Sequence, residues 1–145
     1  MLTPFHIALR VHDIDVARNF YGELMGFEEG RSSDQWIDFD MFGHQFVVHL
    51  DSAMEPVADT QQVHNQVDGR DVPVPHCGVV LGIEDWEVLA RRVASFIQDF
   101  VVDPHVRFAG QPGEQRTMFF RDPSGNALEF KAFKDIDREL FQTEA

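Results

Sequence analysis

The 145-residue chain has one cysteine, few basic residues and no long apolar run. A lone cysteine, Cys77, cannot form a disulfide within the chain, which is typical of a protein from a reducing compartment. No segment reaches the roughly 18 apolar residues that a membrane helix needs, and the N-terminus does not combine a basic stretch with an apolar signal core. We therefore expect a cytoplasmic protein that has no membrane partner.

Acidic residues outnumber basic ones by 25 to 12, which gives a formal net charge of -13. The field of such a surface repels phosphate backbones, so we expect no nucleic-acid partner. Apolar residues, in contrast, are plentiful, because 43% of the chain is hydrophobic and 14 residues are phenylalanine. That content supplies a core for one domain, and we predict a single domain over residues 1–145.

Residues 4–50 have the pattern of one strand, one helix and three further strands. The first strand alternates apolar and other residues, Asp13 is placed to cap the helix, and Gly26 is placed to end it. A tight turn at Gly43-His44 is predicted between the last two strands. The predicted elements are a strand over Phe5–Val11, a helix over Ile14–Met25, and strands near Phe27–Arg31, Gln35–Phe42 and Gln45–Leu50.

The same order of elements returns after a polar stretch. Residues 51–75 contain several prolines and no clear period, so we interpret them as a connector, either a functional cover or a linker. The second module is predicted over 76–133, and residues 134–145 form a tail with room for a short helix. Its elements are a strand His76–Ile83, a helix near Trp86–Gln98 with Val88, Leu89, Val93, Phe96 and Ile97 inward, and strands Val101–Phe108, Gln115–Arg121 and Ala127–Phe133, the last two joined by a turn Asp122–Asn126.

The repeated order predicts an α+β fold of two tandem βαβββ modules. Each sheet covers one face with its helix and leaves the other face free. Two such free faces can curl together into a curved mixed sheet around a cleft.

Four residues with metal-binding side chains lie opposite the apolar positions of their strands. His6 and His76 occupy the first strands of the two modules, and His49 and Glu129 occupy the last. We therefore predict that the duplication maps one pair onto the other and that all four side chains converge on the cleft. Two imidazoles and one carboxylate form a facial set suited to Fe(II), Mn(II), Zn(II) or Ni(II).

Other polar residues are weaker candidates. Arg10 and Arg116 are predicted as weak candidates to bind a substrate carboxylate, as Arg107 could also do, although solvated strand charge is the more ordinary explanation. Trp36 and Phe39 fit either the cleft rim or the core. The remaining histidines fall in turns, in the connector or at a strand margin, and we interpret them as surface residues: His12, His44, His64 and His105.

Three segments resemble the vicinal oxygen chelate superfamily, which includes glyoxalase I, extradiol dioxygenases, methylmalonyl-CoA epimerase and the fosfomycin and bleomycin resistance proteins. They are FHIALRVHDIDVARNFYGELMGF, PHCGVVL and FFRDPSGNALEF, and the resemblance extends from Phe5 to Phe133. It implies that His6, His76 and Glu129 bind a divalent metal. The Asp-Pro-Ser-Gly-Asn turn is expected to aim Glu129 inward.

The reaction type depends on His49. Glyoxalase and epimerase members carry Glu or Gln there as a further ligand, whereas extradiol dioxygenases place a non-ligand His there as an acid and base. The segment VVHLD resembles the dioxygenases, but those enzymes usually have Tyr where this chain has Phe119, and many of them have two pairs of modules.

The resemblance therefore implies an extradiol-type dioxygenase that acts on a vicinal diol or catecholic small molecule, with Fe(II) favoured as its metal. The first alternative is a glyoxalase I-like lyase or isomerase, in which the metal stabilises an enediolate and His49 is a fourth ligand. The second is a ligand-binding or resistance protein without catalysis. Small members commonly form homodimers, and their sites can be shared between chains.

Overall fold

The computed structural model describes residues 3–56 and 62–143, which form two compact units. The first unit contains the described residues up to 56 together with the turn Asp122–Asn126. The second contains residues 62–121 and 127–143. No helix in these described ranges is long and apolar enough to cross a membrane.

The first unit is a four-stranded sheet covered on one face by a helix. The strand order is β1-β4-β3-β2, with β1 parallel to β4 and the other pairs antiparallel. The predicted order of elements is confirmed. The bounds are β1 His6–Val11, α1 Ile14–Arg18, a π-helical continuation Asn19–Leu24, β2 Glu28–Ser32, β3 Trp36–Met41 and β4 His44–Leu50.

The helix of the first unit begins at the predicted residue and ends at Leu24, one residue before the predicted end. The Asp13 side chain accepts a hydrogen bond from the backbone N–H of Val16 at 3.0 Å, and Gly26 takes the left-handed conformation with φ of 80°. Ala17, Phe20 and Tyr21 are buried against the sheet. The π-helical second half was not predicted from the sequence.

The turn between β3 and β4 lies one residue earlier than predicted. Phe42 and Gly43 are its two central residues, with φ of 51° and 87°, and His44 already belongs to β4. Two successive positive φ values define the hairpin turn that matches the twist of the flanking strands. The prediction of a Gly43-His44 turn was therefore wrong by one residue, because a glycine fits either central position.

The second unit combines a separate hairpin with a sheet covered by a helix. The sheet order is β7-β11-β10-β9, and β8 also pairs with β11. Strands β7 and β8 run parallel to β11, as β1 does to β4. The bounds are β5 Val63–Val67, β6 Arg70–Val74, β7 His76–Cys77, β8 Val80–Leu81, α2 Ile83–Ala94, β9 Val102–Arg107, β10 Gln115–Arg121, β11 Ala127–Phe133 and α3 Ile136–Glu139.

The segment interpreted as a connector contains a β-hairpin. Strands β5 and β6 pair antiparallel and are joined by Asp68-Gly69, with φ of 51° and 79°. An Asp-Gly pair between apolar residues is a strong hairpin signal, but the prolines in this stretch led us to expect a loop. The interpretation as an irregular connector was wrong for 63–74, and residues 57–61 lie outside the described ranges.

The helix of the second unit is displaced from its predicted position. It spans Ile83–Ala94, so the predicted strand His76–Ile83 ends earlier and is split into β7 and β8. Trp86, Leu89 and Val93 are buried, whereas Val88 is 59% exposed and was wrongly predicted to face inward. The inward stripe follows the helical period from Trp86, whose indole N–H donates to the Phe130 carbonyl at 2.8 Å.

The turn Asp122–Asn126 is held by its own aspartate. The Asp122 carboxylate accepts hydrogen bonds from the backbone N–H groups of Ser124 and Asn126, both at 2.9 Å, and from the Tyr21 hydroxyl at 2.7 Å. Burial raises the pKa of Asp122, although these donors act in the opposite direction. The turn thereby packs with the first unit directly before β11, the strand that carries Glu129.

Candidate metal site

The structure brings His76 and Glu129 together in the second unit. His76 opens β7, Glu129 lies at the middle of β11, and their Nε2 and Oε1 atoms are 3.4 Å apart. The Glu129 side chain is only 12% exposed. A largely desolvated carboxylate is costly unless it binds a cation or the imidazole beside it is protonated.

Both side chains are oriented by hydrogen bonds. The Nδ1 atom of His76 lies 2.7 Å from the Pro73 carbonyl oxygen, so it acts as the donor and leaves Nε2 facing Glu129. The Thr117 hydroxyl donates to the other carboxylate oxygen of Glu129 at 2.7 Å. The hydrogen bond with Glu129 raises the pKa of His76, opposed by burial, and the Phe119 ring packs edge-on against the imidazole.

His6 has a similar arrangement in the first unit. It opens β1, lies on the exposed face of its sheet, and its Nδ1 atom is 2.8 Å from the side-chain oxygen of Gln45. Since an amide oxygen only accepts, Nδ1 carries the proton and Nε2 keeps its lone pair. Hydrogen bonding of one ring nitrogen to a carbonyl oxygen is the usual way in which a protein orients a histidine ligand.

The predicted ligand residues are divided between the two units. Among residues 3–56 and 62–143, no group of three or more His, Cys, Asp or Glu side chains is placed to hold a metal ion. The structure brings together His76 and Glu129, while His6 and His49 lie in the first unit.

Strand register corrects the predicted equivalence of His49 and Glu129. Gly78, two residues after His76, lies beside Glu129. Ala8, two residues after His6, pairs with Val47. The residue equivalent to Glu129 in the first unit is therefore Val47, and His49 is equivalent to Lys131.

The donor set nevertheless fits a divalent metal. Two ligands bound at about 2.1 Å to one ion lie about 3 to 3.5 Å apart, and His76 Nε2 and Glu129 Oε1 meet this separation. Each histidine is oriented through Nδ1, which leaves Nε2 as the nitrogen available to a metal, and Thr117 holds the carboxylate. Imidazole nitrogen and carboxylate oxygen together suit Fe(II), Mn(II), Zn(II) or Ni(II).

A cavity of about 150 Å³ lies next to the His76–Glu129 pair, entirely within the second unit. Val72, Val102 and Phe119 form a small buried cluster at its wall. The rest of the lining is rich in charge. In addition to His76 and Glu129 it includes Asp68, Arg70, His105, Arg107 and Lys131.

Of the weaker arginine candidates, two form ion pairs away from the cavity. Arg10 is 69% exposed and pairs with Asp51 at 3.0 Å, whereas Arg116 pairs with Glu87 and Glu114 on the side of β10 away from Thr117. Neither residue lines the cavity described above.

Several cavity residues were missed or misjudged from the sequence. Arg107 does line the cavity, and so does His105, which was interpreted as a surface residue. Lys131 and Arg70 were not considered. The sequence held one signal for Lys131, since the alternation of a strand puts it on the same face as Glu129. Phe39 is a core residue, with 1% exposure.

The fold is built from a duplicated module, and its second unit holds a histidine beside a glutamate. The sequence profile of the Glyoxalase/Bleomycin resistance protein/Dioxygenase superfamily matches residues 3–130, and the chain belongs to this superfamily. This is the vicinal oxygen chelate superfamily that the three sequence segments indicated.

Solved structures give the same assignment. A glyoxalase/bleomycin resistance protein/dioxygenase from Alicyclobacillus acidocaldarius is 29% identical, with 96% of each chain covered and a TM-score of 0.74. Fosfomycin resistance protein FosX from Listeria monocytogenes shares the fold at 16% identity, with 92% of this chain and 95% of that chain covered and a TM-score of 0.62. Lactoylglutathione lyase from Agrobacterium tumefaciens also shares it, at 18% identity, with 91% and 94% covered and a TM-score of 0.58. A search of the curated proteins found no significant match.

Proposed function

We propose that the protein is an extradiol-type dioxygenase that acts on a vicinal diol or catecholic small molecule. In this proposal His6, His76 and Glu129 hold Fe(II), and His49 is the acid and base. The observation that carries the proposal is Val47, an apolar residue with 4% exposure at the position equivalent to Glu129. A valine cannot be a metal ligand, which supports a set of three protein ligands in place of four.

Three ligands favour the dioxygenase over the glyoxalase-like alternative. A fourth protein ligand would occupy a position that a bidentate diol and a second small molecule need. His49 does not replace Val47, because two residues along a strand separate their Cα atoms by about 7 Å. That separation supports a role for His49 toward the substrate and not toward the metal.

The residues around the site have separable tasks. When bound, the metal supplies a Lewis acid that binds the two vicinal oxygens of the substrate. Thr117 holds the Glu129 carboxylate, and the Pro73 and Gln45 oxygens hold the two imidazoles. Phe119 packs against His76 and limits the access of water. His49 would take a proton from the substrate hydroxyl and return it later, as an acid and base.

The proposal predicts different effects on metal content and on turnover for His49→Ala. Protein purified without oxygen should contain about one iron per chain in the wild type and in His49→Ala, as measured by mass spectrometry. Oxygen uptake with a catechol should fall by roughly 100-fold to 10,000-fold in the variant, the usual contribution of acid–base catalysis. Loss of iron from His49→Ala would contradict the assigned role. Oxygen-independent conversion of a hemithioacetal by the wild type would support the lyase alternative.

We also propose that the protein acts as a homodimer with shared sites, as small members of its superfamily commonly do. His6→Ala and Glu129→Ala should each be inactive alone. When the two variants are mixed and allowed to exchange subunits, oxygen uptake should return toward a fraction of the wild-type rate, since mixed dimers contain one intact ligand set. No recovery despite verified subunit exchange would show that each site belongs to one chain.

A further inference from the structure

The wall of the cavity is built from rows of residues that cross three strands. In the first row Phe119 on β10 pairs with Glu129 on β11 and with Val102 on β9. Two residues along β10, Thr117 pairs with Lys131 and with His105. All of these residues line the cavity, so the row that contains Glu129 is followed by a row with two basic side chains.

A third row extends the basic surface. Gln115 on β10 pairs with Arg107 on β9, and both line the cavity. Arg107 is 20% exposed and its guanidinium group pairs with Asp68 in the β5–β6 turn. Because a guanidinium group has five N–H donors, one carboxylate leaves Arg107 with further donors to offer.

The charge of the lining differs in sign from that of the whole chain. Arg70, Arg107 and Lys131 contribute three cationic groups, and Asp68 and Glu129 contribute two carboxylates, in a chain with a net charge of -13. No ion pair of Arg70 with another described residue is found. The Lys131 ammonium group lies 3.8 Å from Oε1 of Glu129, the oxygen that also faces His76. A divalent cation held by that oxygen would repel the ammonium group, which would then require another anion.

We propose that the basic rows bind an anionic group of the substrate. This inference rests on the proposed function and specifies its substrate class. Successive rows are about 7 Å apart, since two residues of a strand advance by that distance. The substrate therefore carries a chelating pair of oxygens at one end and a carboxylate or similar anion at the other end, with Lys131 and Arg107 as its partners.

The inference can be tested with three catechols that differ in whether they carry a carboxylate and in its position on the ring. In 3,4-dihydroxybenzoate the carboxylate lies meta and para to the two hydroxyl groups, at the far end of the ring. In 2,3-dihydroxybenzoate it lies ortho to one hydroxyl group, and catechol has no carboxylate. Isothermal titration calorimetry of iron-loaded protein without oxygen should show 3,4-dihydroxybenzoate bound roughly 10 to 100 times more tightly than catechol, as expected for charge-assisted hydrogen bonds. The 2,3 isomer should show no such gain.

Variants identify the residues responsible. Lys131→Met and Arg107→Met should each reduce the preference for 3,4-dihydroxybenzoate over catechol by roughly 10-fold or more. Arg91→Met, which removes an exposed cation from α2, should leave it unchanged. Asp68→Asn should preserve or increase the preference, because it releases Arg107 from its ion pair. This variant breaks the same ion pair as Arg107→Met, so it shows whether the loss of the pair alone affects anion binding.

The binding measurement does not depend on turnover, so the two proposals can fail separately. Absence of a preference in the wild type, equal gain from the 2,3 isomer, or an unchanged preference in both Lys131→Met and Arg107→Met would overturn the anionic subsite. Tight, selective binding without oxygen uptake would instead support the subsite and contradict the dioxygenase reaction.

Discussion

Replacement of Glu129 by glutamine is expected to lower the affinity for a divalent metal by more than about 100-fold. Loss of a residue that only supports a ligand costs about 10-fold to 100-fold, and removal of the single charged ligand should cost more. Glutamine has the same length, and its side-chain oxygen can still accept the hydrogen bond from Thr117. The metal affinity should therefore fall through the loss of charge and not through misfolding.

The metal-free protein provides a second measurement of the same replacement. In the wild type the pKa of His76 is raised chiefly by its hydrogen bond with Glu129. The stability that this pair contributes is fully present below the pKa of an unfolded histidine, about 6.5. It is lost as the pH rises through the raised pKa of the folded protein. In Glu129→Gln this pH-dependent gain should disappear, and an NMR titration should show the pKa of His76 lowered relative to the wild type.

Glu87→Gln is a suitable control for both measurements. Glu87 lies on α2, is 45% exposed and pairs with Arg116, so its replacement removes one negative charge from the second unit without changing the cavity. Metal affinity, measured by competition with a chelating dye, should be unchanged in the control. Equal metal binding by Glu129→Gln and the wild type would contradict the ligand assignment.

The sequence predicts the last two strands without error. Strands Gln115–Arg121 and Ala127–Phe133 are found with the predicted bounds. Polar residues mark the ends of their apolar runs. In the turn between them the Asp122 carboxylate accepts a backbone hydrogen bond and Gly125 has a positive φ, and both features favour a sharp reversal. Local chemistry determines such a hairpin, so it can be predicted from local sequence.

Strand register could not be predicted in the same way. His49 and Val47 lie on the same face of β4, and only the pairing of β4 with β1 shows that Val47 corresponds to Glu129. The pattern of one strand assigns faces with a period of two, but it does not say which residue of a neighbouring strand lies opposite. The correspondence between Val47 and Glu129 therefore required the structure.

The basic lining of the cavity also depends on pairing. His105, Thr117 and Lys131 come from three strands and are far apart in sequence, yet they form one row. Each residue taken alone is an ordinary strand residue of mixed exposure. The β5–β6 hairpin, which adds Asp68 and Arg70 to the cavity, had a recognisable Asp-Gly signal, but the prolines beside it suggested a loop.

Gly78→Ala is expected to destabilise the protein by about 3 kcal/mol or more. Gly78 lies between β7 and β8, and a Cβ atom there would be 1.5 Å from the carbonyl oxygen of Glu129 and 2.6 Å from its carbonyl carbon. These are backbone atoms of a central strand, which cannot move aside as a flexible side chain can. The residue has no positive φ, so the requirement for glycine comes from close approach and not from backbone strain.

The replacement should also disturb the proposed metal site, because the backbone that must move carries Glu129. The close approach at Gly78 and the flanking pairs hold β7 and β8 against β11, so His76 and Glu129 should separate together with the strands. We expect a loss of metal affinity of at least about 10-fold, comparable to the loss of a supporting residue.

Gly82→Ala is the matched control for Gly78→Ala. A Cβ atom at Gly82 would meet nothing within 4 Å, and the residue caps α2 without a side-chain hydrogen bond. Its replacement should cost less than about 1 kcal/mol, the range for a cap residue. Urea unfolding of both variants measures the difference. Similar stability and metal affinity in the two variants would show that β7 and β8 are not held against Glu129 as closely as the structure indicates, since an added methyl group would then find room at Gly78.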